Sequence, residues 1–152
     1  MGARAVGRHS GCLGLPVLRG RDAISLCGLP CLRRVRRAYY ALVTYVDRKV
    51  GQLLASLEEN GFAENTVVIF CSDHGDMLGE RRMIQKRSFY EYSAQVPWII
   101  SYPKRWQSGI KIKEPVSLID LMPTILDFVG VDEERILPID GPSVIPLLEG
   151  EL

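Results

Sequence analysis

The sequence is poor in the residues that usually announce a function. It holds two histidines and four cysteines (Cys12, Cys27, Cys31 and Cys71) in 152 residues. Cys27 and Cys31 are spaced C-x3-C and not C-x2-C, and no His or second Cys pair stands by to complete a site. A zinc module and a dithiol redox motif are therefore excluded. Three of the cysteines fall before residue 32, so a disulfide framework is not expected to direct folding, and Cys71, closing an apolar run, reads as a small buried hydrophobe. No stretch approaches the roughly 18 apolar residues of a spanning helix, so no membrane partner is expected. Internal repeats and low-complexity tracts are also lacking.

What is present is unevenly distributed. Residues 1–38 carry eight Arg against one acid, Asp22, and the remainder carries eleven Lys and Arg against seventeen Asp and Glu. A segment near +7 thus precedes a body near −6, within a net charge of +1. The body is apolar enough to fold, with hydrophobic residues at 47% of the chain. No Tyr, Phe or Trp interleaves Arg4, Arg8, Arg33, Arg34, Arg36 and Arg37, so base stacking has no platform and no nucleic-acid partner is expected. A targeting peptide fits loosely, being Arg-rich and acid-poor, but Pro16, Arg19 and Arg21 interrupt the apolar run of a secretory signal. Residues 1–37 are best read as a basic leader, non-native or disordered, and residues 38–152 as the folded portion. A cytoplasmic location follows as the expectation.

Within that portion, Tyr39, Leu42, Val43, Val46, Val50, Leu53, Leu54 and Leu57 recur at three- and four-residue steps. The spacing predicts a helix of about five turns, stopped by Gly61. Val67–Phe70 is a run of β-formers expected to be buried on both faces, and Val96–Tyr102 reads as a second strand with Pro97 at its entry. Ser117 and Asp120 have capping-box spacing ahead of a second amphipathic helix ending at Gly130, where Pro123 must kink or restart the helix. Ser143–Leu148 is a shorter helical candidate. The order helix, strand, long loop, strand, helix predicts an α/β fold with an incomplete, mainly parallel sheet flanked by helices.

Directly after the first strand comes Ser72-Asp73-His74-Gly75-Asp76. Ligands of open α/β sheets gather beyond the carboxyl ends of strands. An Asp oxygen beside a neutral His nitrogen suits a divalent cation, and Gly75 lets the chain turn sharply away. Spacing alone also allows an Asp-initiated turn with an exposed His.

The run DHGDMLGERRMIQKRSFYEYSAQVPWII, with FCS ahead of it, closely resembles the sulfatase family of the alkaline-phosphatase-like superfamily, nearest to choline-sulfatase-type members. The likeness extends upstream through RRAYYALVTYVDRKVGQLLASLEENG and downstream through PVSLIDLMPTILDFVGV and DGPSVIPLLEGE, about three-quarters of the chain. It implies a sulfatase-like sandwich, of which residues 38–152 would be the C-terminal portion of the catalytic domain. It also implies hydrolysis of a small-molecule sulfate ester, choline sulfate being one candidate, with a divalent cation: Ca²⁺ first, with Mg²⁺ and Mn²⁺ as alternatives. Asp73 and His74 match the family's late metal ligands, and Lys86 the lysine that contacts the sulfate. An ammonium suits an anionic ester and its transition state. Glu80 and Glu91 also fit the pattern, as supports behind the ligands or as structural residues. Arg81, Arg82 and Arg87 flank the lysine as added positive potential or a solvated charge run. Gln95 stands where relatives often have Arg, and Trp98 reads as core, since one aromatic makes no cation cage. A phosphonate monoester or phosphodiester hydrolase of the same superfamily is the alternative, and oligomerisation is left open.

The resemblance further implies a Cys or Ser inside C/S-x-P-x-R, converted to formylglycine, and an early Asp-Asp metal pair. Two residues after Cys12, Cys27, Cys31 and Cys71 stand Gly14, Leu29, Arg33 and Asp73, none of them Pro. No serine is expected to fit the pattern either, so the expectation is a truncated chain without the nucleophile, inactive alone. A non-catalytic fragment is the reading from outside the enzymes.

Overall fold

The computed structural model describes residues 28–86, 88–131 and 138–150. Most of the basic segment, with Cys12 and Cys27, and Arg87 lie outside the described residues. The chain divides into two compact units, one formed by residues up to Ser56 with His74–Pro97, the other by Leu57–Asp73 with Trp98–Leu152.

Helix α1 runs Gly28–Glu59, starting well before the expected Tyr39. Leu32 and Val35 continue the apolar stripe upstream at the same spacing, so the period extends through the arginines. Gly61, at φ 72, ends it, and Phe62 N–H donates to Leu57 O at 2.8 Å, the wrap of a Schellman stop. No α1 residue is buried, and Leu42, Val43, Val46, Leu53 and Leu54 are exposed. Cys31 is disulfide-bonded, while Cys71 is a free thiol.

The rest of the first unit is a small hairpin and one helical turn. Strand β2 (Met77–Leu78) pairs antiparallel with β3 (Ile84–Gln85), joined through a 3₁₀ turn at Glu80–Arg82. Met77 is fully buried. Helix α2 (Glu91–Ala94) follows, and Gly75 lies against it: a Cβ there would meet Tyr92 O at 2.2 Å. Gly75 is not among the positive-φ glycines, so what requires it is the close approach of two backbones and not a left-handed turn.

In the second unit, β1 (Val68–Cys71) pairs with β4 (Trp98–Ser101), Val68 opposite Ser101 and Cys71 opposite Trp98. Both strands lie where the β-rich runs predict. The α/β class holds, but this pair is antiparallel where a mainly parallel sheet was expected. Large α/β sheets commonly carry such an antiparallel strand. All four β1 residues are half-buried and not interior, because among the described residues β1 has one neighbour only.

Ser117 and Asp120 form the expected capping box, Ser117 N–H donating to Asp120 Oδ2 at 2.8 Å. A 3₁₀ turn at Leu118–Asp120 precedes α3 (Leu121–Phe128), which places Pro123 in the first turn of the α-helix, where its missing N–H costs nothing. Gly130, at φ 65, stops α3 as expected. Helix α4 (Ile145–Glu149) is tied back to α3 through Thr124, whose Oγ1 donates to Asp120 O at 2.6 Å and accepts from Val144 N–H at 3.0 Å. Trp106 packs edge-on to Tyr102 and Phe128, and Arg105 pairs with Glu149. No described helix is long and apolar enough to cross a membrane.

Two stability predictions follow from these contacts. Thr124→Val keeps shape but strands the buried Val144 N–H, so chemical denaturation should show a loss of about 1–3 kcal/mol, largely absent in Thr124→Ser. Gly75→Ala should lower the unfolding free energy by about 1–3 kcal/mol through the clash with α2. The control Gly51→Ala, where nothing lies within 4 Å, should raise stability by about 0.5–1 kcal/mol.

Candidate anion and metal site

The sequence-selected residues are distributed as follows. Ser72 and Asp73 follow β1 directly, and Asp73 is exposed. His74 opens the next segment, half-buried, and Lys86 follows β3 with its side chain exposed. Lys86 Nζ lies 2.5 Å from His74 Nε2, and His74 Nδ1 lies 2.8 Å from Gly75 O. A carbonyl can only accept, so Nδ1 carries the ring proton and Nε2 presents its lone pair. An ammonium can only donate, so Lys86 fills that lone pair. The lysine that sequence reading singled out is therefore held against the histidine and not scattered into solvent.

The backbone supports of this pair converge on one residue. Ser93, buried, donates its hydroxyl to Lys86 O at 2.5 Å, and its carbonyl accepts Gly75 N–H at 2.9 Å. Sequence reading missed Ser93. A lone serine in a short polar run carries no periodic signal.

Glu80 has a definite structural part. Its Oε2 accepts Leu78 N–H at 2.6 Å and its Oε1 pairs with Arg36 Nη2 at 2.9 Å, while Arg36 Nε donates to Leu78 O at 2.8 Å. Arg36 and Glu80 thus close a ring over Leu78 and tie α1 to the hairpin. Both side chains retain solvent, so the ion pair itself contributes at most about 1 kcal/mol, and the charged bond to backbone contributes more. Glu91 opens α2 and is exposed, and Gln95 is exposed at its end. Arg81 lies over the Tyr90 ring at 5.4 Å, a packing role for one of the flanking arginines. Trp98 is half-buried with its indole nitrogen enclosed, in keeping with core.

A divalent cation needs a set of oxygen and nitrogen donors. Among the described residues no group of three or more His, Cys, Asp or Glu comes together in a metal-holding arrangement. The donor chemistry fits in part. His74 has one nitrogen anchored on a carbonyl, as ligating histidines usually do, and a cation could take the other only with the Lys86 ammonium displaced from it.

One correction concerns the nucleophile. Ser101-Tyr102-Pro103-Lys104-Arg105 satisfies C/S-x-P-x-R as a string, contrary to the expectation that the pattern is absent. Its place argues against that use. Ser101 pairs with Val68, whereas the chain leaves toward Asp73 from Cys71, at the other end of β1. Three residues of strand separate them by about 10 Å.

Comparison with known proteins agrees with the motifs. The sulfatase family model matches residues 10–131, a match that begins inside the basic segment. The chain is 42% identical over 120 residues to a choline-sulfatase of Rhizobium meliloti, covering 78% of this chain and 23% of that protein. It is 41% identical over 117 residues to arylsulfatase K of Danio rerio, covering 77% and 22%. Among solved structures it resembles a phosphonate monoester hydrolase from Silicibacter pomeroyi, with a TM-score of 0.73, 36% identity and coverage of 80% and 24%. It also resembles a protein solved with its substrate D-glucosamine-2-N,6-O-disulfate, with a TM-score of 0.64, 40% identity and coverage of 72% and 22%. The chain spans less than a quarter of the length of these relatives. The family match, the α/β fold and the Asp-His-Gly segment agree: the chain belongs to the sulfatase family, within the alkaline-phosphatase-like superfamily.

Proposed function

We propose that this chain supplies the cation- and sulfate-binding face of a sulfuric ester hydrolase, whose reaction converts an organic sulfate ester to alcohol and sulfate. The observation that carries the reading is the Lys86–His74 contact beside the family's Asp-His-Gly segment. Asp73 and His74 would hold the cation, Ca²⁺ first, with Mg²⁺ or Mn²⁺ as alternatives. Such a cation supplies positive charge where the sulfate oxygens gather negative charge. His74 would present Nε2 while Gly75 O holds its ring in orientation. Lys86 would donate to a sulfate oxygen, and its exposure leaves it free to swing there from His74 Nε2. Glu80 would act at a distance, holding the hairpin that carries Lys86, and Glu91 is retained as a support of the same segment.

The chain by itself is proposed to be inactive, for want of a nucleophile at this site. Lowering an ester barrier by the roughly 8–23 kcal/mol typical of enzymes requires more than two ligands and a lysine. Residues 28–37 belong to α1 and Arg36 fastens the hairpin, so the catalytic portion is proposed to begin before residue 38, in a cytoplasmic protein. Choline sulfate as substrate rests on the choline-sulfatase likeness alone. A phosphonate monoester or phosphodiester hydrolase is the second reading, favoured by the likeness to the Silicibacter pomeroyi enzyme.

Calorimetry of the purified chain tests both halves. Titration with Ca²⁺, Mg²⁺ and Mn²⁺ should show weak binding to at least one ion, lost in Asp73→Ala and in His74→Ala. Inorganic sulfate should bind the metal-loaded chain at least tenfold more weakly in Lys86→Met, the loss of one charged hydrogen bond. Aryl sulfate turnover should not exceed buffer. Metal-dependent turnover that Asp73→Ala abolishes would overturn the missing-nucleophile half, and unchanged metal binding in both variants would overturn the other.

A further inference from the structure

We infer that Ser93 is the positioning residue that sets the separation between His74 and Lys86, acting through the main chain on both sides of the pair. The inference rests on the reading of His74 and Lys86 as site residues and extends it to a residue that touches neither side chain.

His74 and Lys86 come from separate stretches, one before the β2–β3 hairpin and one after it. The hairpin pairs only two residues per strand, and its connecting turn holds Arg81 and Arg82 in the left-handed region, at φ 53 and 58. Gln85, immediately before the lysine, is also left-handed, at φ 76. Non-glycine residues pay for that conformation with strain, so the hairpin alone is a poor ruler for a 2.5 Å contact. A separate restraint has to hold the two stretches in register.

Ser93 supplies it with both of its acceptor and donor groups. The hydroxyl donates to Lys86 O, which fixes where the lysine leaves the backbone. The carbonyl accepts Gly75 N–H, which fixes the peptide joining His74 to Gly75. That same glycine's carbonyl faces His74 Nδ1, so the imidazole is oriented from the anchored peptide's neighbour. Ser93 is itself held: it is 4% exposed, and its N–H donates to Tyr90 O at 2.8 Å within α2. The bare Cα of Gly75 permits the approach, since any side chain would strike the α2 backbone. One buried residue therefore bonds to both stretches.

The hydroxyl is the replaceable part. Ser93→Thr keeps it, and Ser93→Ala removes it while leaving the carbonyl bond to Gly75 in place. The loss of one neutral hydrogen bond should leave the fold intact but let the Lys86 backbone drift, loosening its contact with His74.

The test uses the full chain and its two-histidine NMR spectrum at one fixed pH. Lys86→Met is made in the native chain and in the Ser93→Thr, Ser93→Ala and Ser93→Cys backgrounds, and the displacement of the His74 imidazole ¹⁵N and ¹H resonances is read each time. In the native and Ser93→Thr chains, removing the ammonium should move the His74 signals strongly. In Ser93→Ala the displacement should fall by at least half, with Ser93→Cys giving the same result if the alanine variant does not fold. A merely structural serine would change the thermal midpoint while leaving that displacement as large as in the native chain, and this outcome overturns the inference. If Lys86→Met leaves His74 unmoved in the native chain, the pair itself does not form, and the site reading fails together with the inference. Intact coupling in Ser93→Ala leaves the site reading standing and removes only Ser93.

Discussion

An ammonium and an imidazole stay together when the imidazole presents a lone pair to the ammonium and the backbones carrying both are pinned. His74 meets the first condition because Gly75 O takes the Nδ1 proton and leaves Nε2 as a lone pair. Lys86 meets it by donating to that lone pair from an otherwise exposed position. The second condition falls to the short stretch between them, where Gly75 and Lys86 are both bonded to Ser93. The Arg36–Glu80 ring over Leu78 fastens the hairpin in between to α1. Everything proposed for anion or cation binding depends on this folded-back segment. The segment itself is small, polar and held by hydrogen bonds and little apolar burial.

That balance matches the rest of the molecule. Among the described residues only Met77, Val144 and Ile145 are buried hydrophobics, α1 exposes most of its apolar stripe, and β1 has one strand neighbour. Apolar area left in water contributes nothing to stability, so polar restraints such as Thr124 and Ser93 carry more of the local order than they would in a larger core. The chain spans less than a quarter of the length of the choline-sulfatase and the phosphonate monoester hydrolase that it resembles.

The elements governed by strong periodicity were legible in the sequence. The α1 stripe, the β-rich runs of β1 and β4, the Ser117–Asp120 cap and the glycine stops at 61 and 130 all stand where local chemistry puts them. The start of α1 was not legible, because the arginines around Leu32 and Val35 mask the stripe. Strand direction was not legible either, since an apolar run reads the same in both senses. At the site, Asp73, His74 and Lys86 were visible through the resemblance, and the short contact between Lys86 and His74 was not foreseeable from spacing. Ser93, the β2–β3 hairpin and the Arg36–Glu80 ring were invisible, because single hydrogen bonds and two-residue pairings leave no periodic pattern in the sequence. The Ser101-Tyr102-Pro103-Lys104-Arg105 run shows the reverse hazard, a string that matches a motif at the wrong end of a strand.

The most direct measurement is the tautomer of the neutral His74 ring, read from its two ¹⁵N shifts in the native, metal-free chain. The account predicts a protonated Nδ1 and an unprotonated Nε2 directed at the Lys86 ammonium. A proton on Nε2 would move the lone pair to Nδ1, away from the Lys86 ammonium, and would contradict the account outright.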